Sequence, residues 1–531
     1  MQSASAEKPA GAPPLLHGIL VVLALAPIVA TGGLYLFDVP NHLFRVHVVA
    51  EIVGGRPSSF YELDLKPIPN MPLDLAAVLL GKFVDPVRIT LWIVCAAVAG
   101  FYISILYWRT SNGRSTSLWI GLLAILVLYS FPLQAGLINY VLGIAGMYFA
   151  LARLERFEAA PPAKAAWAFY PVQWLLVLVT YFCSLFPVML YFVWCAGAYI
   201  YDWLAGKVPL TALIKRGLIL HVPPLVAIAV LIVFSDPSPP GDSETAWVLA
   251  KKLEGLVSIG RMSNLPHEFL MFAAILASLG LRFAAGTMRL DPRHAAGLVA
   301  LVVCFLALPA KLQGVTLIDA RMPMAIAGVL LAVAREIPAA RRPRLQTAAA
   351  ALLVLLFAGR GVSLAASWLP LSGLNAAYAE LARRVEPGSA VYFVLDGLTN
   401  AERERRIVAG WANAWRTGHP PTRDTLTAYA TFWHLHMPAF RGRDVYLSQT
   451  FQNFSLKQRP GLPLTLLYRV PLPLDQTVAV LANEPYDYVL SHIDLTGVSI
   501  PGKRLCLVDE RAAVRLYRLA TDTCPSAIAS R

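Results

Sequence analysis

The chain has 531 residues, of which 57% are hydrophobic and only 15% are charged, and its mean hydropathy is +0.59. A soluble globular protein carries more charge and cannot bury so much apolar surface, so this composition excludes a soluble enzyme. The formal net charge of +13 does not indicate a nucleic-acid partner, because the basic residues gather in short loops between apolar runs. That distribution is typical of membrane proteins.

The N-terminal tail, residues 1–14, is rich in Ala, Pro and Ser and is predicted to be a disordered cytoplasmic segment. The remainder of the N-terminal two thirds predicts a polytopic α-helical membrane domain, residues 15–366, with about eleven transmembrane helices. The predicted apolar runs are 15–37, 87–108, 117–132, 135–152, 166–182, 185–203, 212–234, 267–285, 295–310, 322–335 and 345–366. The first run is too long for a signal-peptide core and is interpreted as a retained helix.

Basic residues in alternate loops predict the orientation of these helices. They are Arg109, Arg114, Arg153, Arg156, Lys164, Lys207, Lys215, Arg216, Arg282, Arg289, Arg293, Arg335, Arg341, Arg342 and Arg344. These loops are predicted to be cytoplasmic, which also places the N-terminus there. Loops 38–86 and 235–266, and everything after about residue 367, are then predicted to lie on the outer side.

The C-terminal part, residues 367–531, has the composition of a soluble α/β domain and is predicted to be periplasmic. The roughly 155 residues from Asn375 onward suffice for a core of their own. Strands are predicted at 390–395, 444–447, 464–470, 488–491, 505–508 and 513–519, and helices at 378–385, 401–414 and 426–436. If this part faces an oxidising compartment, Cys506 and Cys524 are candidates for a disulfide.

The segment 38–45, Asp-Val-Pro-Asn-His-Leu-Phe-Arg, begins where the first transmembrane helix reaches the outer surface. Pro40 suits the first turn of a new helix, with Asp38 as its cap. In that helix His42 and Arg45 share a face, and Asp38 lies above it. A carboxylate, an imidazole and a guanidinium are therefore expected to converge at the membrane surface.

These three side chains suit the transfer of a sugar from a lipid phosphate. Asp38 is a candidate to accept the proton of an attacking hydroxyl. Arg45 is a candidate to hold the phosphate, because its planar fork matches phosphate oxygens. His42 is a candidate for phosphate binding or proton transfer. A simpler interpretation stays open, in which Asp38 only caps the helix and Arg45 only contacts lipid head groups.

The layout resembles the C-type (GT-C) integral-membrane glycosyltransferases, and more closely a group of bacterial membrane proteins of that type. Four segments carry the resemblance: 38–45, Pro69-Asn70, the Gly-Leu-Ile-Asn-Tyr segment 136–140, and the Asp-Ala-Arg segment 319–321. The resemblance implies transfer of a sugar from a polyprenyl-phosphate donor to a glycan, lipid or protein acceptor, in cell-envelope glycan assembly. It implies a multi-pass protein of a bacterial inner membrane.

The resemblance also implies site residues. Asp38 occupies the place of the family's essential acidic residue, and Asn70 becomes a candidate substrate-binding residue. Many members carry a second acidic residue nearby, whereas this motif has Asp38 alone. Glu51, Glu62, Asp64 and Asp74 are the candidates for a second carboxylate. A divalent metal is left open as a cofactor.

Two further polar residues lie within or beside the apolar runs. Ionisable residues at such a boundary usually face a cavity, so Arg321 is a second candidate for the donor phosphate. The alternative is an Asp319–Arg321 ion pair or a head-group anchor. Asn139 is predicted to hydrogen-bond a neighbouring helix.

Two other functions remain as alternatives. The first is a non-catalytic membrane scaffold or accessory subunit of polysaccharide assembly. The second, a transporter or flippase, is less favoured because few ionisable residues lie in mid-helix and no inverted repeat is visible.

Overall fold

The computed structural model describes most of the chain. The described residues are 12–32, 35–159, 166–235, 245, 247–261, 265–310, 317–337, 343–368, 371–394, 437–440, 444–447, 456–458, 474–511, 514–521 and 523–524. Most of the predicted disordered tail therefore lies outside the described residues. So do the predicted helices 401–414 and 426–436 and the predicted strand 464–470.

Each predicted apolar run coincides with a helix. In chain order the helices are α1 (Pro14–Thr31), α2 (Val39–Val53), α3 (Pro72–Leu80), α4 (Pro86–Ser111), α5 (Leu118–Leu128), α6 (Phe131–Gln134), α7 (Ile138–Ala159), α8 (Ala166–Cys183), α9 (Leu185–Leu204), α10 (Leu210–Phe234), α11 (Leu249–Val257), α12 (Leu265–Ala284), α13 (Pro292–Ala307), α14 (Ile318–Val333), α15 (Pro343–Trp368), α16 (Leu371–Ala382) and α17 (Leu474–Asn483). Helices α2, α3 and α11 belong to the two predicted outer loops.

Six helices among the described residues are long and apolar enough to cross a membrane. They are α1, α4, α9 and α10, together with the parts of α12 and α15 within His267–Ala284 and Arg344–Ala365. Three shorter apolar helices are Leu118–Leu128, Ala168–Cys183 and Pro292–Ala307. The chain is therefore a largely helical, multi-pass membrane protein, whereas a total of eleven crossings stays a prediction.

Helices α9 and α13 pack closely where glycine residues lie at their contact. A Cβ added to Gly297 of α13 would lie 2.5 Å from the Trp194 ring of α9, and one on Gly197 would lie 2.7 Å from Ala300. Only glycine at these positions lets the two helix backbones approach so closely.

The end of the bundle that is predicted to be cytoplasmic holds many ion pairs. Several of the basic residues that predicted the orientation are paired here with carboxylates, as in Arg293–Asp202 at 2.8 Å and Arg282–Glu336 at 2.7 Å. Glu336 lies in β3 (Arg335–Glu336), which pairs antiparallel with β2 (Met288–Arg289). These residues therefore tie helix ends together in addition to any contact with lipid head groups.

A mixed five-stranded sheet forms the centre of the C-terminal part. Its strands are β4 (Ala390–Val394), β5 (Tyr446–Leu447), β7 (Tyr488–Ser491), β8 (Arg504–Arg511) and β9 (Val514–Ala520), in the order β5-β4-β7-β9-β8. β4 pairs parallel with β5 and β7, and β9 pairs antiparallel with β7 and β8. Cys506 of β8 and Cys524 are joined by a disulfide.

This sheet shares its core with the first outer loop. Phe44 and Val49 of α2 belong to the same buried cluster as Tyr446 and Leu490. β1 (Tyr61–Leu63) pairs antiparallel with β6 (Leu456–Gln458). The core of the C-terminal part is therefore extended by α2, which is covered on one side by the bundle and on the other by this domain.

Candidate active site

Asp38 lies between α1 and α2 and is held by backbone contacts. Its N–H donates to the Ala135 carbonyl at 3.2 Å, and the Phe37 N–H donates to the Gln134 carbonyl at 2.9 Å. Next to these carbonyls is Gly136, whose φ is +74°. A Cβ at this glycine would lie 2.5 Å from the Asp38 nitrogen. The turn between α6 and α7 thus fixes the backbone of Asp38.

The side chain of Asp38 does not cap α2, although the residue occupies the N-cap position. Instead, its Oδ1 accepts a hydrogen bond from Asn41 Nδ2 at 3.2 Å, and its Oδ2 lies 3.2 Å from His42 Nε2. About a quarter of the side chain, 24%, remains exposed. The interpretation of Asp38 as a simple cap is therefore wrong, and the carboxylate points into a polar group of side chains.

Burial raises the pKa of Asp38 to about 6, even though its charged form is favoured by the Asn41 hydrogen bond and by the charges of Arg45 and Arg321. A carboxylate with such a pKa is mostly ionised at neutral pH and is a stronger base than an ordinary aspartate. The charge of Arg321 acts on Asp38, so the fold brings these two residues near each other. They are 283 positions apart in the chain (321 − 38).

Arg45 occupies a different place from the one expected for a phosphate ligand. Its Nε donates to Asp74 Oδ1 at 2.7 Å, and neither side chain is exposed (0% for both). Asp74 is in the first turn of α3, so the pair fastens α3 to α2. A guanidinium that is already neutralised by a buried carboxylate attracts a phosphate less strongly. Breaking such a buried ion pair also costs free energy. This geometry favours a positioning role for Arg45.

The same pair bears on the missing second carboxylate. Of the four candidates, Asp74 is the one that contacts the 38–45 motif, but it contacts Arg45 and not the Asp38 carboxylate. Glu51 lies instead against Arg56, with an Nε–Oε2 distance of 2.5 Å. Asp38 is the carboxylate of the 38–45 motif itself, and it contacts Asn41 and His42.

Asn70 is held by its backbone. Its carbonyl accepts from Asn139 Nδ2 at 3.1 Å, and the following residue, Met71, donates its N–H to the Phe182 carbonyl at 3.0 Å. Asn70 has a φ of +70°, a conformation that asparagine tolerates better than most residues. The prediction that Asn139 bonds a neighbouring helix is therefore wrong, because its partner is the outer loop.

Arg321 lies in the first turns of α14, with its guanidinium carbon 6.0 Å from the centre of the Tyr140 ring. Tyr140 Oη donates to the Arg321 carbonyl at 2.8 Å. Asp319 is paired with Lys252, so the expected Asp319–Arg321 ion pair is not formed. Within the described part of the chain, Arg321 has no ion-pair partner, and its Nε is buried without a hydrogen bond. The charge of Arg321 nevertheless acts on Asp38, whose ionised form it favours.

One short segment, residues 136–140, organises the whole site. Gly136 packs against the Asp38 backbone, Asn139 holds the Asn70 carbonyl, and Tyr140 holds Arg321. The Gly-Leu-Ile-Asn-Tyr segment is recognisable in the sequence, but its positioning role is visible only in the structure. The signal that pointed to it was the glycine followed closely by two hydrogen-bonding side chains.

Gly136→Ala is expected to destabilise the protein and to displace Asp38. The left-handed backbone already strains an alanine by about 1 kcal/mol, and the added Cβ would collide with the Asp38 nitrogen. Gly113 is a matched control, because its φ is +68° but nothing lies within 4 Å of an added Cβ. Thermal unfolding in detergent should show a larger loss for Gly136→Ala than for Gly113→Ala. Equal losses would contradict the assigned contact.

The site offers few metal ligands. Asp38 and His42 supply one carboxylate and one imidazole, whereas protein metal sites normally need three or more protein ligands. Across the described ranges, no group of three or more His, Cys, Asp or Glu side chains is placed to hold a metal ion.

Two solved structures are similar to this chain over nearly its whole length. The crystal structure of ArnT from Cupriavidus metallidurans bound to undecaprenyl phosphate aligns with 95% of this chain and 97% of its own, at 13% identity and a TM-score of 0.41. The apo structure of the same protein covers 94% and 98%, at 13% identity and a TM-score of 0.39. No protein-family model and no curated protein sequence matches the chain. The roles assigned to individual residues rest on the geometry described above.

Proposed function

We propose that this protein transfers a sugar from a polyprenyl-phosphate donor to a hydroxyl group at the outer face of the membrane. The observation that carries the proposal is that Asp38 and Arg321 act on each other electrostatically without forming an ion pair. A carboxylate with a pKa of about 6 faces the charge of a guanidinium whose Nε has no hydrogen bond, where the first membrane helix gives way to the outer loop. A base for the acceptor and a cation for the leaving phosphate are the two groups that this reaction needs.

The reaction can be written for these residues. The acceptor oxygen attacks the anomeric carbon, and the bond between that carbon and the phosphate oxygen breaks. The bonding electrons leave with the polyprenyl phosphate, whose negative charge Arg321 stabilises. Asp38 accepts the hydroxyl proton, while Asn41 and His42 orient its two oxygens. The Arg45–Asp74 ion pair holds α2 and α3 together beside the site.

The proposal also includes a donor class, an acceptor class and a location. The lipid part of the donor would lie among the apolar helices, and the acceptor would be a glycan, a lipid or a protein presented beneath the C-terminal domain. The inner membrane of a bacterium, with the N-terminus in the cytoplasm and this domain in the periplasm, is the location that we propose. The Cys506–Cys524 disulfide supports an oxidising surrounding for the domain.

The rate of transfer is expected to depend on the ionisation of Asp38. Because the base is active when deprotonated, the turnover number should rise as the pH increases through about 6 and level off above pH 7. His42→Gln removes the imidazole that contacts Asp38 and should leave this inflection in place, at a lower plateau, because the base that titrates is Asp38. A profile that is flat between pH 5 and 8 while chemistry is rate-limiting would contradict the role of Asp38.

The direct test uses the full-length protein in nanodiscs. Incubation with a polyprenyl-phosphate sugar and a membrane extract containing envelope glycans should release free polyprenyl phosphate. A non-catalytic scaffold is the second candidate, favoured by the engagement of Asp74 with Arg45, which removes it as a second carboxylate. A scaffold predicts no release and a stable protein partner. Failure to bind polyprenyl phosphate at all would reject the transferase.

A further inference from the structure

Lys252 and Asp319 form a buried ion pair that the proposed reaction does not use directly. Lys252 is on α11, in the second outer loop, and is 1% exposed, whereas Asp319 is in the first turn of α14 and is 4% exposed. The Lys252 Nζ donates to Asp319 Oδ1 and also to the carbonyl of Leu308, at the C-terminal end of α13. One ammonium group thus joins three helices.

The backbones of α11 and α14 are in direct contact at this pair. A Cβ added to Gly255, one turn after Lys252 on α11, would collide with the backbone of Asp319. The Lys252 Nζ also lies 5.1 Å from the centre of the Phe305 ring of α13. The lysine is therefore enclosed by an aromatic ring, a carbonyl and a carboxylate, which leaves it little freedom to move.

This contact fixes both ends of the connection between α13 and α14. Leu308 begins that connection, and Leu317, which has a φ of +63°, ends it. Beyond this point, Tyr140 and Tyr148 of α7 donate their hydroxyls to the carbonyls of Arg321 and Ala325. Tyr140 and Tyr148 hold α14 against α7, whereas Lys252 holds the first turn of α14 against the second outer loop.

We infer that Lys252 and Asp319 are positioning residues that hold the Arg321 guanidinium within reach of Asp38. Arg321 follows Asp319 by two residues on the same helical turn, so a shift in the start of α14 moves the guanidinium with it. A misplacement of about 1 Å is enough to lower catalytic efficiency strongly. This inference rests on the proposed function, since it assigns to Arg321 the phosphate of the donor.

The experiment measures the dissociation constant of undecaprenyl phosphate for full-length protein in nanodiscs, together with the thermal unfolding temperature. Lys252→Met is expected to weaken binding about tenfold and to lower the unfolding temperature, because Asp319 is left as a buried lone charge. The double variant Lys252→Met/Asp319→Asn removes that lone charge. It should recover most of the unfolding temperature while its binding stays about tenfold weaker.

Arg282→Met is the matched control, because it also breaks a buried ion pair with a carboxylate, Glu336, at the opposite end of the bundle. It should lower the unfolding temperature without changing undecaprenyl phosphate binding. The inference is overturned if the double variant regains wild-type affinity together with its stability, or if Arg282→Met weakens binding as much as Lys252→Met. Wild-type protein that fails to bind undecaprenyl phosphate would instead reject the proposed function.

Discussion

Replacing Asp38 by Asn is expected to lower the turnover number by at least about 100-fold while the protein folds normally. Asparagine has the same shape, and its oxygen can still accept the hydrogen bond from Asn41. It cannot accept the proton of the attacking hydroxyl, so the base is lost and little else changes. The measurement is release of polyprenyl phosphate under single-turnover conditions, with size-exclusion profiles to verify folding.

The same variant should retain its affinity for polyprenyl phosphate, or bind it more tightly, because a negative charge beside the anion is removed. Asp85→Asn is a matched control. Asp85 also precedes a helix with a proline at its start, and its side chain accepts from the Val87 N–H at 2.7 Å, a cap that asparagine preserves. Full activity of Asp38→Asn would remove the assignment of Asp38 as the base.

Arg321→Met is expected to weaken the binding of polyprenyl phosphate by about 10- to 100-fold, since a charge-assisted hydrogen bond contributes about 1.5–3 kcal/mol. Turnover should fall by more than this, because the charge on the leaving phosphate grows in the transition state. Methionine keeps most of the apolar stem against the Tyr140 ring, so folding should be maintained. Arg321→Lys should recover part of the affinity but not all of it, because lysine lacks the planar fork.

The control for this variant is another arginine placed over a tyrosine. The guanidinium of Arg518 lies 5.9 Å from the centre of the Tyr488 ring in the C-terminal domain, and it pairs with Glu386 at 3.4 Å. Arg518→Met removes a similar cation–aromatic contact away from the site and should leave phosphate binding unchanged. If both variants bind polyprenyl phosphate like the wild type, Arg321 is not its ligand.

The helices were predictable from the sequence because hydropathy alone marks segments of this length, and every predicted apolar run coincides with a helix. Their ends were less predictable. The first run was expected to continue to residue 37, but α1 ends at Thr31 because Gly32 adopts a left-handed conformation with φ of +62°. The chain can therefore turn between Gly32 and Asp38. The hydropathy of the run does not reveal this turn.

The partners of the site residues were not predictable. Arg45 and Asp74 are 29 residues apart and belong to different helices, and no spacing rule relates them. An Asp319–Arg321 ion pair was the alternative to a phosphate-binding role for Arg321, but residues two apart on a helix do not face each other, and Asp319 pairs with Lys252 instead. Asp38 was expected to cap α2, but its backbone has ψ of −7° instead of the extended value usual for a cap.

The core that α2 shares with the C-terminal domain has a consequence for biosynthesis. Ser58 in the first outer loop bonds to Asp444 at 2.8 Å, across 386 residues of sequence, and the stacked rings of Tyr61 and Tyr446 lie beside this bond. A ribosome that has delivered only the N-terminal half of the chain has therefore inserted the segment bearing Asp38 without the sheet that packs against α2. Under the proposed function, the site would be complete only after the last strands have been made, so truncated chains in the membrane are expected to be inert.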